Sequence, residues 1–139
     1  MAGTFSLEIV TPERAVFSGE VNSLKAPALD GLFGVLHNRA PLLTALGPGE
    51  VSFDVVGESQ THHMAISGGF FQVAANKAVL LADQAEFGHE VDIEEARRRL
   101  EIARQELTRM ALTEEEARIR HHHHATAAAR LRAADRYRR

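Results

Sequence analysis

The stretch "ISGGFFQVAANKAVLLAD", residues 66–83, decides the fold class of the first part of this chain. Two apolar runs, residues 70–74 and 78–82, flank Ala75, Asn76 and Lys77. Asparagine tolerates the positive φ of a tight turn, so the stretch predicts a β-hairpin with its tip at these three residues. Gly68 and Gly69 precede the first run and are interpreted as a bulge or a tight bend.

Three further segments, residues 4–10, 51–56 and 61–67, alternate apolar and polar residues with the period of a half-buried strand. Their predicted inward-facing side chains are Phe5, Leu7, Ile9, Val51, Phe53, Val55, Met64 and Ile66. Glycine, proline and asparagine or aspartate break the chain roughly every 8 to 12 residues up to residue 90. This spacing predicts an all-β sandwich or barrel.

From residue 91 the apolar period becomes helical. The predicted seam of the first helix, with spacings typical of a narrow stripe, is Ile93, Ala96, Leu100, Ala103, Leu107 and Met110. Asp92 is placed to cap this helix, with Glu95 three residues later. Glu94 and Glu95 can pair with Arg98 and Arg99, one turn further along.

A second helix start follows at once, where Thr113 and Glu116 form a predicted capping box. A very short connection makes two helices antiparallel neighbours. The fold class is therefore β plus α, with an antiparallel β-sandwich in residues 1–88 and an antiparallel two-helix hairpin in residues 89–139. The second helix offers mainly small residues for packing, namely Ala117, Ala127, Ala128, Leu131 and Ala134. Burying alanines stabilises little, which favours a mobile hairpin. Small residues also allow two helices to pack closely, and the sequence leaves both interpretations open.

The charge distribution follows the same boundary. Residues 1–90 hold four Lys or Arg against ten Asp or Glu, whereas residues 91–139 hold twelve Arg against nine Asp or Glu. From Arg118 onward there are seven Arg and one acid. Such a split indicates two regions with different functions.

The sequence lacks the common motifs of catalytic and cofactor-binding sites. The sequence contains no phosphate-binding glycine loop, no nucleophile elbow and no His-Glu-x-x-His motif, so it predicts neither an enzyme nor a cofactor site. On a helix, only His121 and His124 of the tract at residues 121–124 share a face, so no metal site is expected and the tract is interpreted as solvated. No signal peptide or membrane-spanning run is expected either.

The stretch "FGVLHNRAPLLTAL", residues 33–46, is apolar and bounded by turn signals, yet it is neither a clean strand nor a clean helix. An apolar segment of this kind is reasonable where another protein covers part of it. Leu36, Leu42 and Leu43 are instead interpreted as filling the sandwich.

Three stretches together resemble the epsilon subunit of bacterial F-type ATP synthase. They are "LEIVTPERAVFSGEV" (7–21), "DGLFGVLHNRAPLLTALGPGEV" (30–51) and "ISGGFFQVAANKAVLLADQAE" (66–86). The resemblance implies a sandwich of about ten strands, which binds the gamma subunit and the membrane rotor ring of c subunits. It also implies a mobile hairpin that extends to the alpha and beta subunits of the catalytic head and inhibits ATP hydrolysis. The subunit would be non-catalytic and peripheral, on the cytoplasmic face of the bacterial inner membrane, without insertion.

The resemblance also assigns residues to contacts. The implied rotor-ring contacts are Leu32, Phe33, His37, Asn38 and Arg39. The implied catalytic-head contacts are Arg118, Arg120, Arg130, Arg132 and Arg136. Some bacterial members bind ATP through Ile/Leu-Asp-x-x-Arg-Ala; here Asp92 and Ala96 match, but Glu95 stands where the motif has arginine. Because an anion repels phosphate, ATP binding is expected to be weak or absent.

Two rival interpretations come from the residues alone. An acidic β domain with a basic helical tail could be a nucleic-acid-binding adaptor, but the tail contains one aromatic residue, Tyr137, and no stacking platform. A β-sandwich enzyme using the histidine tract with a metal is the other. No nucleic acid partner is expected.

Overall fold

The computed structural model describes residues 3–137. Within these residues nine strands are followed by two helices. The strands are β1 (Phe5–Val10), β2 (Ala15–Ala28), β3 (Gly31–Val35), β4 (Leu42–Leu46), β5 (Gly49–Val55), β6 (Thr61–Ile66), β7 (Gly69–Ala74), β8 (Lys77–Ala82) and β9 (Ala85–Phe87). A 3-10 turn (Gly88–Glu90) leads into α1 (Ile93–Thr108) and α2 (Glu114–Tyr137).

The long strand β2 joins the two layers of the sandwich. It pairs with β1 in its first half, with β3 and β5 in its second half, and meets β4 at Ala28. One layer continues through β5, β6 and β9, and the other through β1, β8, β7 and β4. The predicted sandwich followed by a helical hairpin is confirmed. The strands number nine over residues 3–137, where about ten were expected, and β1 pairs with β8 in parallel rather than antiparallel.

The core lies between the two layers and is formed by the alternating residues that the sequence pattern selects. Phe5, Leu7, Ile9, Val51, Phe53, Met64 and Ile66 are all buried there. Val55, the eighth residue of that set, is only partly buried at the edge of the core. Period-2 patterning therefore identified the inner face of these three strands correctly.

The β7–β8 hairpin turns as predicted, but on two residues rather than three. Ala75 and Asn76 have φ of 50° and 60°, and Lys77 already belongs to β8. Both central residues at positive φ are typical of the type I′ turn that matches the twist of the flanking strands. Asparagine accommodates this conformation readily, whereas alanine at φ 50° is held there by the surrounding pairing.

Both helix starts carry the predicted caps, with one difference in the second. The Asp92 carboxylate accepts from the Glu95 amide at 3.1 Å, and the Thr113 hydroxyl accepts from the Glu116 amide at 3.0 Å. The Glu116 carboxylate reaches back to the amide of Leu112 rather than to that of Thr113. The predicted seam of α1 is wrong at Met110, which lies beyond the end of the helix and is exposed.

Candidate interaction surfaces

An apolar patch covers the outer face of β4, β7 and β8. Phe70 pairs across the sheet with Ala45 on one side and Leu81 on the other. Leu43, two residues before Ala45, points to the same face. Leu43 is 71% exposed, Phe70 58% and Leu81 51%, so three large apolar side chains face solvent together on a regular sheet.

This patch corrects the interpretation of the leucines at residues 36–43 as interior residues. Leu42 packs on the core, but Leu43 and Leu36 are exposed, so the interpretation is wrong for those two. Alternation along β4 sends Leu42 inward and Leu43 outward, and the doubled residues Phe70-Phe71 and Leu80-Leu81 do the same on β7 and β8. Those doubled apolar residues are the sequence signal for an apolar patch on the outer face.

The loop after β3 forms one end of the sandwich and is fixed by an asparagine pair. The amide of Asn38 donates to the Asn76 side chain at 2.5 Å, and the Asn76 side chain donates to that of Asn38 at 3.1 Å. Asn38 has φ 61°, which asparagine tolerates. His37, Asn38 and Arg39 are exposed at this end, on a loop that the β7–β8 turn holds in place.

The structure does not bring the five predicted rotor-ring residues together. Leu32 is 68% exposed on β3, whereas His37 lies in the loop beyond the end of that strand at Val35. Phe33 turns inward, and its ring lies 5.4 Å from that of Phe71. His37, Asn38 and Arg39 remain as one contiguous exposed group.

Helix α2 lies on the outer face of β6 through a seam of small residues. Ala129 and Ala133 pack on Ala65 and form a separate buried cluster with it. Gly88 lies directly under the helix, because a Cβ placed there would fall 2.9 Å from the carbonyl carbon of Ala133. The expected packing of Ala127 and Ala134 is confirmed, but Ala128 and Leu131 are only partly buried, and Ala129 and Ala133 take the central positions. The hairpin in this structure is therefore closed on the sandwich.

Three predicted catalytic-head arginines are paired with the protein's own carboxylates. Arg130 contacts both Glu86 of β9 and Glu95 of α1, at 2.7 and 2.8 Å. Hydrogen bonding to Glu86, and then to Glu95, raises the pKa of Arg130. Arg132 and Arg136 lie 3.6 and 2.8 Å from Glu50 of β5.

The other two arginines lie nearer the start of α2. Arg120 donates to the carbonyl of Arg109 at 3.1 Å, just past the end of α1. It also lies 3.8 Å from Glu116. Arg118 is exposed and makes no ion pair with any residue in the range 3–137.

The family model for the β-sandwich domain of the ATP synthase delta/epsilon chain matches residues 4–88. The chain belongs to this family. An ATP synthase epsilon chain from Carboxydothermus hydrogenoformans is 46% identical over 109 residues, covering 78% of this chain and 80% of the relative. One from Anaeromyxobacter sp. (strain K) is 40% identical over 131 residues, covering 94% and 98%.

Two solved structures share the fold. A chain in the cryo-EM structure of the Euglena gracilis mitochondrial ATP synthase (OSCP/F1/c-ring) matches with a TM-score of 0.78 at 21% identity, covering 94% of this chain and 81% of that one. A chain in the central stalk/c-ring structure of the Tetrahymena thermophila mitochondrial ATP synthase matches with a TM-score of 0.68 at 15% identity, covering 92% and 94%. Because the relatives are named as the epsilon chain, a non-catalytic subunit of the complex, the prediction that this chain is not an enzyme is confirmed.

The two epsilon-family motif residues that match the ATP pattern are both engaged in the closed hairpin. Asp92 caps α1, and Ala96 is fully buried against Val91 and Ala134. Glu95 accepts from Arg130 and lies 3.8 Å from Arg99. A groove between hairpin and sandwich runs past Glu95 and Arg130, but five further carboxylate side chains also line it.

His121, His122 and His123 are exposed, as expected for a solvated tract, but two of them also have partners in the chain. His122 contacts the carbonyl oxygen of Ser67 through Nε2 at 2.7 Å, so this nitrogen carries the proton, since a carbonyl can only accept. His123 lies 3.5 Å from Glu106. Between residues 3 and 137 no group of three or more His, Asp or Glu side chains is arranged to hold a metal ion. No helix in that range is long and apolar enough to cross a bilayer.

Closure of the hairpin lowers the pKa of His63, so the stability of the closed state depends on pH. Burial, and next the positive charge of Arg136 on α2, lower the pKa of His63, opposed by Glu50 and Asp54 of β5. An open hairpin would expose this ring and remove Arg136, so the open state binds a proton more readily. The closed hairpin is therefore not penalised by His63 above about pH 6.5, the ordinary pKa of histidine. Its stability falls as the pH drops from there toward the lowered pKa that His63 has in the closed state.

We expect Arg136→Gln to raise the pKa of His63 toward the ordinary histidine value. The ring proton shifts of His63, followed by NMR from pH 5 to 8, measure this directly. The Arg118→Gln substitution is the control, because Arg118 is exposed near the start of α2, far along the helix from Arg136. An unchanged His63 titration in Arg136→Gln would contradict the assignment.

Proposed function

We propose that this epsilon-family chain is a central-stalk subunit that turns with the rotor and couples its rotation to the catalytic head. Two solved relatives of the fold come from ATP synthase assemblies that include the c-ring. The observation that carries the proposal is the outer patch of Leu43, Phe70 and Leu81, because a regular sheet face with three large exposed apolar residues is typical of a protein interface.

We assign the gamma subunit to this patch and the rotor ring to the loop at residues 37–39. The patch is flat and apolar, which suits a permanent contact with another subunit of the stalk. The loop is polar and preorganised by the Asn38–Asn76 pair, which suits contact with polar loops of a ring. Leu32 and Phe33 fit this assignment less well, since Leu32 is displaced along β3 and Phe33 packs on the core.

We propose that the hairpin is a brake on ATP hydrolysis that works by leaving the sandwich. In the closed state Arg130, Arg132 and Arg136 pair with carboxylates of the chain itself. On extension these arginines, with Arg118 and Arg120, become free to pair with acidic residues of the alpha and beta subunits. The same internal pairing argues against a nucleic-acid-binding tail, because those charges are already neutralised.

Deleting residues 91–139 should raise ATP hydrolysis by the reconstituted catalytic complex while leaving binding to gamma intact. The reason is that the apolar patch lies wholly on β4, β7 and β8, whereas the arginines that would reach the head lie on α2. Steady-state hydrolysis and co-purification with gamma measure the two effects.

The matched control for assembly is Phe70→Asp in the full chain, which places a charge in the centre of the patch. This variant should lose gamma binding with its fold retained, because the Phe70 side chain faces solvent. If the truncated chain fails to bind gamma, or hydrolysis does not increase, the brake is refuted. If Phe70→Asp binds gamma normally, the patch is not the gamma surface.

We propose that ATP binds this chain weakly or not at all. Glu95 brings a carboxylate to the position where a phosphate would need a cation, and Ala96 is covered by α2. Isothermal titration of ATP into the isolated subunit should show no binding in the low micromolar range, and Glu95→Arg should strengthen binding. A low-micromolar dissociation constant for the unmodified chain would refute this.

We place the subunit peripherally at the cytoplasmic face of the bacterial inner membrane. The support is the family membership, together with the bacterial source of the relatives at 40% and 46% identity. Contact with the membrane complex would be made through the ring and gamma rather than by insertion.

A further inference from the structure

Arg130 is the one arginine on α2 whose guanidinium group contacts two other elements of the described chain at once. Its Nε donates to Glu86 of β9 at 2.7 Å, and its Nη1 donates to Glu95 of α1 at 2.8 Å. The side chain is only 17% exposed, compared with 54% and 48% for Arg132 and Arg136. It therefore joins the sandwich, the first helix and the second helix at a single, largely covered point.

The geometry suits arginine and no other cation. The planar fork presents Nε and Nη1 in different directions, so each carboxylate receives its own donor. A lysine ammonium is a single centre and cannot reproduce that arrangement. Without the guanidinium, Glu86 would lose its cation and Glu95 would keep only Arg99, 3.8 Å away, so the two carboxylates would repel each other more strongly.

The other contacts that close the hairpin are weaker by comparison. The seam on β6 consists of Ala65, Ala129 and Ala133, whose methyl groups remove little apolar area from water. The pairs of Arg132 and Arg136 with Glu50 are about half exposed on the arginine side, where solvent screens them. The Arg130 guanidinium is covered and donates to two carboxylates, and charge-assisted hydrogen bonds of this kind are stronger than neutral ones such as that of His122 to the Ser67 carbonyl.

We propose that Arg130, held between Glu86 and Glu95, is an ionic clasp that keeps the hairpin closed on the sandwich without any bound ligand. The proposal rests on the mobility of the hairpin that the proposed function requires. It gives Glu95 a role in this chain: the carboxylate supplies internally the negative charge that satisfies Arg130. Loss of the clasp should shift the chain toward the open state while the sandwich stays folded.

Thiol labelling of buried cysteines tests the clasp in the full chain. The chain contains no cysteine, so a single Ala65→Cys substitution places one thiol under α2. Its labelling rate is proportional to the population in which the hairpin has lifted. Ala82→Cys, an equally buried alanine in the sandwich core, is the matched probe and reports only unfolding of the sandwich.

Arg130→Gln should increase the labelling rate at the Ala65→Cys probe by about tenfold or more and leave the rate at the Ala82→Cys probe unchanged. Arg130→Lys, which keeps the charge but not the fork, should give an intermediate increase. Glu95→Gln should also increase the rate, since it removes one of the two acceptors. Arg118→Gln removes an exposed arginine of the same helix and should have no effect.

The possible outcomes distinguish failure of the clasp proposal from failure of the proposal that the hairpin is mobile. If Gly88→Ala, which forces α2 off the sandwich sterically, raises labelling at the Ala65→Cys probe but Arg130→Gln and Glu95→Gln do not, the clasp is overturned and the mobility remains. If none of these variants raises it, the hairpin does not open and both proposals fail. If both probes accelerate equally in Arg130→Gln and Glu95→Gln, the residues stabilise the whole fold and the clasp is overturned.

Discussion

Gly69→Ala should unfold the sandwich or leave it barely stable at room temperature. Gly69 opens β7 between β4 and β8 with φ 147°, a conformation that an L side chain rarely adopts. A Cβ at this position would fall 2.9 Å from the Cα of Ala82 and closer still to the carbonyl oxygen of Leu81. Both atoms are backbone of the paired strand, so neither can yield without breaking the ladder.

The expected cost is more than about 4 kcal/mol, because backbone strain and a backbone clash act together. Such a loss would remove much of the total stability of an ordinary domain and lower the melting temperature by more than about 15 °C. Urea and thermal unfolding of the full chain, followed by circular dichroism, measure it.

The matched control is Gly31→Ala. Gly31 has a similar φ of 137°, but a Cβ there would meet no atom within 4 Å. That variant therefore reports the strain alone, about 1–3 kcal/mol. If Gly69→Ala costs no more than Gly31→Ala, the close approach of β7 to β8 is not what requires glycine.

Gly68 and Gly69 both have positive φ, which agrees with the predicted bulge or tight bend, but the sequence does not show why residue 69 requires glycine. Positive φ is expected from the pair of glycines, whereas the approach of the Leu81 carbonyl depends on β8, where Leu81 lies twelve residues further along the chain. The same limit applies to the parallel pairing of β1 with β8, since periodicity identifies strands and their inner faces but not their neighbours.

The outer face of β4, β7 and β8 shows that the sequence pattern cannot distinguish a buried apolar face from an exposed one. A strand with apolar residues on both faces is typical of a fully buried strand, so the sequence alone predicts that Leu43 lies in the interior. In the structure Leu43 is 71% exposed, on the face that we propose another protein covers. Charged residues show a related limit. The sequence predicts Arg130 as a catalytic-head contact, but it does not show that in the closed hairpin β9 and α1 supply two carboxylates, 44 and 35 positions away, that pair with it.

The second large effect should come from Gly88→Ala, which is expected to displace α2 while leaving the sandwich folded. Gly88 lies in the 3-10 turn after β9, and an added Cβ would fall 3.0 Å from the Cβ of Tyr137 and nearer to the carbonyl of Ala133. The carbonyl is part of a helix backbone, so α2 would have to move as a whole. The sandwich core does not include Gly88, so its own packing is untouched.

Overpacking of this kind costs about 1–3 kcal/mol, which is comparable to what an alanine seam, the Arg130 clasp and two partly exposed ion pairs can supply together. The fraction of molecules with a closed hairpin should therefore fall, and the labelling rate at the Ala65→Cys probe should rise about tenfold to a hundredfold. The rate at Ala82→Cys should stay the same. Equal rates in Gly88→Ala and the unmodified chain would contradict the prediction.

The direction of the effect on activity follows from the proposed brake. If the open hairpin inhibits, Gly88→Ala should lower ATP hydrolysis by the assembled complex, whereas deletion of residues 91–139 should raise it. Two changes that both remove the closed hairpin would then act in opposite directions, because only one of them leaves the arginines of α2 present to reach the head. A simple loss of stability could not produce that pair of results.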